Sequence, residues 1–313
     1  MQCFEHIPKE QQNTAVALGF FDGLHIGHRS VLELAADQRR NGLTPLCLTF
    51  SQSPKSVLAG KQLPMLMTRE DKTRALERIG FEHTVFADFR KIMDLSAERF
   101  VKEILSDTLH AKKLYCGFNY RFGKNAEGDA QALRLLCERY GLKLHVLPPA
   151  EDEGEVVSSS LIKSLILRGE VSRANRLLCG EFGFAQTVTH GKHLGRKLGA
   201  PTINQTPFGS LITPLRGVYC SRVTLENGEA YCGVTNVGIK PTVGGTTLLW
   251  ETYMPKYTGG EIYGQSADVR LLDFIRPEKQ FESLDALKAE ILLNSQTALG
   301  IYEQKLILNS NKK

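Results

Sequence analysis

Short apolar runs alternate with amphipathic stretches through the first half of the chain. Thr14-Ala15-Val16-Ala17-Leu18 is a compact apolar run, and 29–40 follows with helical periodicity, Val31, Leu32, Leu34 and Ala35 sharing one side. Asn41-Gly42 stops that helix. Residues 44–50 are continuously apolar in character, the pattern of a strand covered on both faces of a parallel sheet. Helices over 69–79, 96–109 and 128–140 and strands over 83–87, 113–116 and 142–147 continue the alternation. Strands with a helix between each pair predict crossover units and a parallel sheet. Near residue 180 helices give way to short β-rich runs between glycines and prolines, at 182–189, 217–225, 229–236, 247–253 and 267–274. That spacing suits an antiparallel barrel. A helix over 160–168, a helical linker over 170–179 and a last helix over 283–299 complete the pattern, with the domain boundary placed between 180 and 181.

Composition narrows the class without redirecting it. The chain has 313 residues, enough for two domains, with 42% hydrophobic and 23% charged residues, which is ordinary globular composition. No apolar run approaches the roughly 18 residues that span a bilayer, and the start MQCFEHIPKE lacks a signal-peptide apolar core. A cytoplasmic protein without membrane partners is expected. A net charge of +5 with no block of like charges argues against nucleic-acid binding. Seven widely spaced cysteines without a Cys-x-x-Cys pair argue against a disulfide framework and a structural zinc site.

The first candidate site is Gly19-Phe20-Phe21-Asp22-Gly23-Leu24-His25-Ile26-Gly27-His28, between the first long strand and the first helix. In an open α/β sheet ligands bind beyond the carboxyl end of a strand. His25 and His28 are three apart at a helix entry and can face one ligand, while the helix N-terminus favours phosphate. Two surface histidines are the plain alternative. Zinc fits less well, because no third ligand is nearby. Ser158-Ser159-Ser160 ahead of an apolar helical run is an N-cap that can also cradle phosphate, with Lys163 one turn inside. The glycine-bounded loop Gly117-Phe118-Asn119-Tyr120-Arg121-Phe122-Gly123 offers one cation and otherwise reads as a turn. It is not a Walker-type loop, since Asn125 follows Gly123-Lys124 where Ser or Thr is required.

The second candidate site opens the β-rich half. Gly199-Ala200-Pro201-Thr202-Ile203-Asn204 follows a basic, glycine-spaced stretch, 190–197. In extended chain Thr202 and Asn204 point to one face, and their hard oxygens suit Mg2+, which keeps waters and phosphate oxygens as its other ligands. A proline turn with self-satisfied polar groups is the alternative. Glu251 interrupts an apolar strand, Leu248-Leu249-Trp250-Glu251-Thr252-Tyr253, and on the strand alone reads as an outward-facing glutamate of an edge strand. Trp250 alternates to the opposite face and reads as core.

With both sites in one chain and in this order, the sequence resembles the bacterial bifunctional riboflavin kinase/FMN adenylyltransferase (FAD synthetase) family over essentially its whole length. The resemblance implies an α/β domain over 1–180, Rossmann-like and of the nucleotidyltransferase type. A six-stranded flavokinase barrel with a terminal helix is implied over 181–313. It further implies phosphorylation of riboflavin to FMN, then adenylylation of FMN to FAD. ATP is then the co-substrate, Mg2+ the cofactor, and riboflavin, FMN, FAD and ATP the partners of a monomer or weak oligomer.

By motif, the resemblance makes Glu251 the base, with Arg276 near the flavin and Thr202 and Asn204 on the magnesium. It assigns kinase ATP to His190, Gly191, Gly195, Gly199, Pro201, Thr202, Asn204 and Asn236. In the other domain it makes His25 and His28 catalytic. Phe21, Asp22, Gly23, Asn119, Arg121, Ser158, Ser159, Ser160 and Lys163 join them around the nucleotide. Departures are small in the kinase half, Lys240 for the usual arginine and Tyr253 for a common histidine. In the other half they touch the site: Ser53 stands where the family has histidine, Asn119 where it has an acidic residue, and Lys163 where it has arginine, losing a bidentate fork. Reduced FAD formation is therefore expected. The alternatives are a kinase with an inactive first domain, a flavin-binding regulatory protein without catalysis, and a different nucleotidyltransferase carrying an accessory barrel.

Overall fold

Six strands of the first half lie side by side: β1 (Gln2–Phe4), β2 (Thr14–Leu18), β3 (Thr44–Phe50), β4 (His83–Ala87), β5 (Ala111–Gly117) and β6 (Lys143–Leu147). Their order is β1-β4-β3-β2-β5-β6, and every neighbouring pair is parallel. The computed structural model describes residues 1–8, 13–178, 180–189, 201–242 and 245–310. Helices α1 (Ile26–Ala36), α2 (Pro54–Leu58), α3 (Arg69–Ile79), α4 (Ala97–Arg99, continuing as a π-helix over Phe100–Thr108) and α5 (Ala130–Arg139) connect the strands. β2 is buried along its whole length, as its unbroken apolar run requires. Val16, Leu46, Leu48 and Val85 pack with Phe100, Leu105 and Leu133 in one core. Local chemistry sets the helix ends. Thr68 caps α3 by accepting the Asp71 N–H at 3.1 Å, and Gly80 ends it in the left-handed region at φ 109°.

A short hairpin, β7 (Glu151–Asp152) and β8 (Glu155–Val156), leads to α6 (Ser159–Leu167) and α7 (Val171–Leu177). The chain divides into two compact units, Met1–Ser159 and Ser160–Lys313. The sequence reading grouped the helix over 160–168 and the linker over 170–179 with the first domain, whereas the division by contacts begins the second unit at Ser160. Several hydrogen bonds tie this segment to the second unit. Leu215 N–H donates to the Ile166 carbonyl at 3.1 Å. Asn175 donates to the Leu271 carbonyl at 2.7 Å and accepts the Phe182 N–H at 2.8 Å.

The second unit is an antiparallel sheet of β9 (Gly183–Thr187), β10 (Thr202–Gln205), β11 (Gly217–Leu225), β12 (Ala230–Thr242), β13 (Gly245–Tyr253) and β14 (Ser266–Pro277), in the order β10-β13-β12-β11-β14-β9. The two end strands meet. Thr189 N–H donates to the Asn204 carbonyl at 2.9 Å, and Gln205 Nε2 donates to the carbonyls of Gln186 at 2.6 Å and Ala267 at 2.7 Å. These bonds curl the sheet into the expected barrel, because they pair edges that would otherwise be open. Trp250 fills the interior against Phe184 (ring centroids 4.7 Å apart) and Phe182. Ser221, Thr235 and Thr252 form a buried hydroxyl chain beside them. The C-terminal helix, Leu284–Ser310, is longer than its sequence pattern indicated and covers the outer face around Val218, Cys220, Cys232 and Val234.

Candidate active sites

In the first unit the strand order reverses at β2, which has β3 on one side and β5 on the other. Ligands of open parallel sheets bind beyond the carboxyl ends of the strands at such a reversal. The loops leaving β2 and β5 there are the two predicted segments, 19–28 and 117–123. The first is tightly wound. A Cβ on Gly19 would lie 2.8 Å from the Phe21 ring, and Phe21, Gly23 and Leu24 adopt φ of 54°, 85° and 46°. Left-handed conformations at the two non-glycine residues are sterically costly and need surrounding support.

That turn delivers His25 to the N-cap of α1, where its Nδ1 accepts the His28 N–H at 3.4 Å. A neutral ring accepting at Nδ1 carries its proton on Nε2. The two imidazoles stack with centroids 3.6 Å apart, and the Phe21 ring meets His28 edge-on at 5.3 Å. Burial lowers the His25 pKa to about 4 against the opposing pull of Asp22. Burial, then the neighbouring His25 and Lys72, holds His28 well below its ordinary value. The site therefore presents two neutral imidazoles at the positive end of a helix. The His28 Nδ1 has no hydrogen-bond partner among the described residues. Asp22 is buried and braces the loop: its Oδ1 accepts the Leu66 N–H at 2.8 Å, and its carbonyl accepts the Ser159 hydroxyl at 2.8 Å.

The loop after β5 is anchored by alternation. Phe122 is buried against Phe100, while Asn119 and Arg121 are exposed. Arg121 lies 3.7 Å from Asp129, the N-cap of α5. Ser53 stands at the N-cap of α2 before Pro54 without making a side-chain cap bond. Ser158 and Ser159 close the first unit, whereas Ser160 and Lys163 lie on α6 in the second.

In the second unit one transverse row of the sheet holds four of the predicted kinase residues. Asn204 on β10 pairs with Glu251 on β13, Glu251 with Asn236 on β12, Asn236 with Val218 on β11, and Val218 with Arg276 on β14. Cross-strand partners share a face, so these side chains lie in line on the outer face of the barrel wall, opposite the Trp250 row, with Val218 beneath the C-terminal helix. Three strand spacings separate Glu251 from Arg276, roughly 14 Å. A register shift in the β11–β14 pairing between Val218 and Tyr219 makes this possible. Phe274 packs inward on Tyr219, yet Arg276, two residues on, turns outward to Glu290 (2.8 Å) and Asn294 (3.3 Å) of the C-terminal helix. A bulge re-aims a side chain in this way.

Glu251 is partly exposed and ion-paired with Lys240. Asn204 is only 4% exposed, and its Oδ1 is buried with no hydrogen-bond partner among the described residues. An orphaned hard oxygen of this kind suits a cation, and Thr202, two residues earlier on β10, occupies the same face. No cluster of three or more His, Cys, Asp or Glu suited to a metal occurs among the described residues. Pro201 directly precedes β10. His190, Gly191, Gly195 and Gly199 lie outside the described residues. Lys72 lies in a charged segment of α3, Arg69-Glu70-Asp71-Lys72-Thr73-Arg74, and carries no motif that marks it in the sequence. Lys72 is 2% exposed.

Two family models match the chain, FAD synthetase over residues 7–161 and riboflavin kinase over residues 178–302. Bifunctional riboflavin kinase/FMN adenylyltransferase of Haemophilus influenzae is 31% identical over 93% of this chain and 95% of its own length. The protein of that name from Escherichia coli is 31% identical over 92% of each chain. A solved structure from Streptococcus pneumoniae, described as a macrolide-efflux protein, aligns with a TM-score of 0.85 at 27% identity, covering 95% of this chain and 98% of that one. No helix among the described residues here is long and apolar enough to cross a membrane. With one matching model on each unit, and relatives that share nearly the full length, the chain belongs to the bifunctional riboflavin kinase/FMN adenylyltransferase family.

Proposed function

We infer that the chain phosphorylates riboflavin to FMN with ATP, then transfers the adenylyl group of a second ATP to FMN, giving FAD and pyrophosphate. The observation that carries this reading is the row Asn204–Glu251–Asn236–Val218–Arg276, which sets a carboxylate between two amides and ends on a helix-braced guanidinium. In the kinase step Glu251 takes the proton of the ribityl 5′-hydroxyl as that oxygen bonds to the γ-phosphorus, and ADP leaves with the electrons of the broken P–O bond. Lys240 fixes the direction of the Glu251 carboxylate, and Arg276 orients the flavin from the far end of the row. Thr202 and Asn204 would hold Mg2+, which neutralises phosphate charge when bound.

In the second step an FMN phosphate oxygen attacks the α-phosphorus, and pyrophosphate leaves with the electrons of the broken bond. No proton need be abstracted, so the protein's task is to stabilise charge on the departing group. His25, His28 and the first amides of α1 supply donors where that charge collects. Ser53, Asn119 and Lys163 depart from the family pattern in this half, and FAD formation slower than FMN formation is expected from them.

Asn204→Ala tests the two-site assignment. Its KM for Mg·ATP in FMN formation is expected to rise about tenfold, the effect of losing one charge-assisted contact. FAD formation from supplied FMN should be unaffected. Equal damage to both half-reactions in a folded variant would overturn the assignment.

A further inference from the structure

The first unit buries a lysine that none of the steps above uses. Lys72 lies on α3, and its Nζ donates to the Phe20 carbonyl at 2.7 Å. The same oxygen accepts the Thr49 hydroxyl at 2.9 Å, so a single carbonyl is held by donors from α3 and β3. The ammonium also sits 4.2 Å from the centre of the Phe20 ring. Burial draws the Lys72 pKa down to about 8; Asp22 is the charge that chiefly opposes this. Cys47 beside it is pushed up to about 12 by burial and stays a neutral thiol.

A buried ammonium is expensive and would be replaced at little cost by an apolar side chain if packing were its only role. Its place suggests why it is retained. The clamped carbonyl belongs to the residue immediately before Phe21, whose left-handed backbone needs outside support and whose ring abuts His28. The chain of contact runs from Lys72 through the Phe20 carbonyl and the Phe21 turn to the His28 ring.

We propose that Lys72 is a positioning residue for adenylyl transfer, an ammonium under the histidine loop that holds the Phe20–Phe21 turn and, through Phe21, the His28 ring in working geometry. The proposal rests on the reading of this loop as the adenylyltransferase site. Misplacing a catalytic group by about 1 Å costs about 10²-fold in rate. The charge reaches His28 as well, whose surroundings are the stacked His25, the edge of Phe21, and Lys72, with Asp22 beside His25.

The test compares Lys72→Met, which keeps the volume and removes the charge, with Lys72→Arg and Thr49→Val in the full-length protein. Lys72→Met should lose about 10²-fold in kcat for FAD formation from FMN, with a smaller change in the KM for ATP. FMN formation from riboflavin, in the other unit, should stay at the parental rate, and a parental thermal melt with parental hydrogen-exchange protection of β2 and β3 reports that the first unit is folded. Lys72→Arg should recover most of the loss. Thr49→Val, which removes a donor and leaves the charge, should lower kcat without moving the pH profile.

NMR titration of the His28 ring gives a readout independent of turnover. In Lys72→Met its pKa should rise, because a neighbouring cation has gone. A folded Lys72→Met protein with parental FAD formation and an unmoved His28 titration would overturn the proposal. A raised His28 pKa in a chain whose parent forms no FAD would uphold the contact and instead remove the adenylyltransferase reading. Loss of both half-reactions together, unrescued by Lys72→Arg, would assign Lys72 to folding and also overturn the proposal.

Discussion

Glu251→Gln lowers riboflavin phosphorylation by about 10²-fold or more, the usual loss when a positioned general base is removed. The substitution keeps the side-chain size and one oxygen that can still accept from Lys240. Glu251 lies on the outer face, so the interior packing of Trp250 and the hydroxyl chain through Thr252 are untouched. The purified variant should melt near the parental temperature and bind riboflavin with similar affinity. Only the rate of FMN formation should fall. Parental turnover in that variant would remove Glu251 from the role of base and leave the row as a binding surface.

His28→Ala gives the opposite split. FAD formation from supplied FMN should fall by about 10³-fold, the scale of losing a preorganised donor to a departing charge. FMN formation should proceed as before, because its residues lie in the second unit. Removing a half-buried ring that stacks on His25 and touches Phe21 leaves a small cavity, so some loss of stability is expected. A thermal melt of the same preparation separates that general effect from the specific one. Loss of the first unit's melting transition would indicate misfolding, and undiminished FAD formation would take His28 out of the chemistry.

Much of this architecture was legible in the sequence because periodicity reports burial directly. The largely apolar runs at 14–18 and 44–50 read as interior parallel strands, and both appear with those bounds. That Thr202 and Asn204 share a face followed from the two-residue alternation of extended chain, whereas Glu251 joined them only through the family resemblance; the β10–β13 register brings Asn204 opposite Glu251. Other features depend on long-range pairing and left no local mark. The shift near Val218 that turns Arg276 outward needs two strands to be seen together. Barrel closure through Thr189 and Gln205 joins the two ends of the strand order. β1 is three residues long and reads as irregular chain until β4 supplies its partner. Lys72 was hidden for a different reason. A charged helix segment looks solvated in sequence, and only the strained loop folded over it shows what the ammonium holds. The C-terminal helix ran past its predicted end because no Gly or Pro stops it after Gly300.

The central claim is that one chain performs two successive transfers at two separate sites. The most direct measurement follows the products formed by the purified protein from riboflavin and excess Mg·ATP, with ADP and pyrophosphate quantified alongside the flavins. The account predicts that FMN appears first with one ADP per molecule, and that FAD follows with one pyrophosphate per FMN consumed. Riboflavin left unconverted, or FMN that accumulates and never yields FAD even when supplied directly, would contradict it.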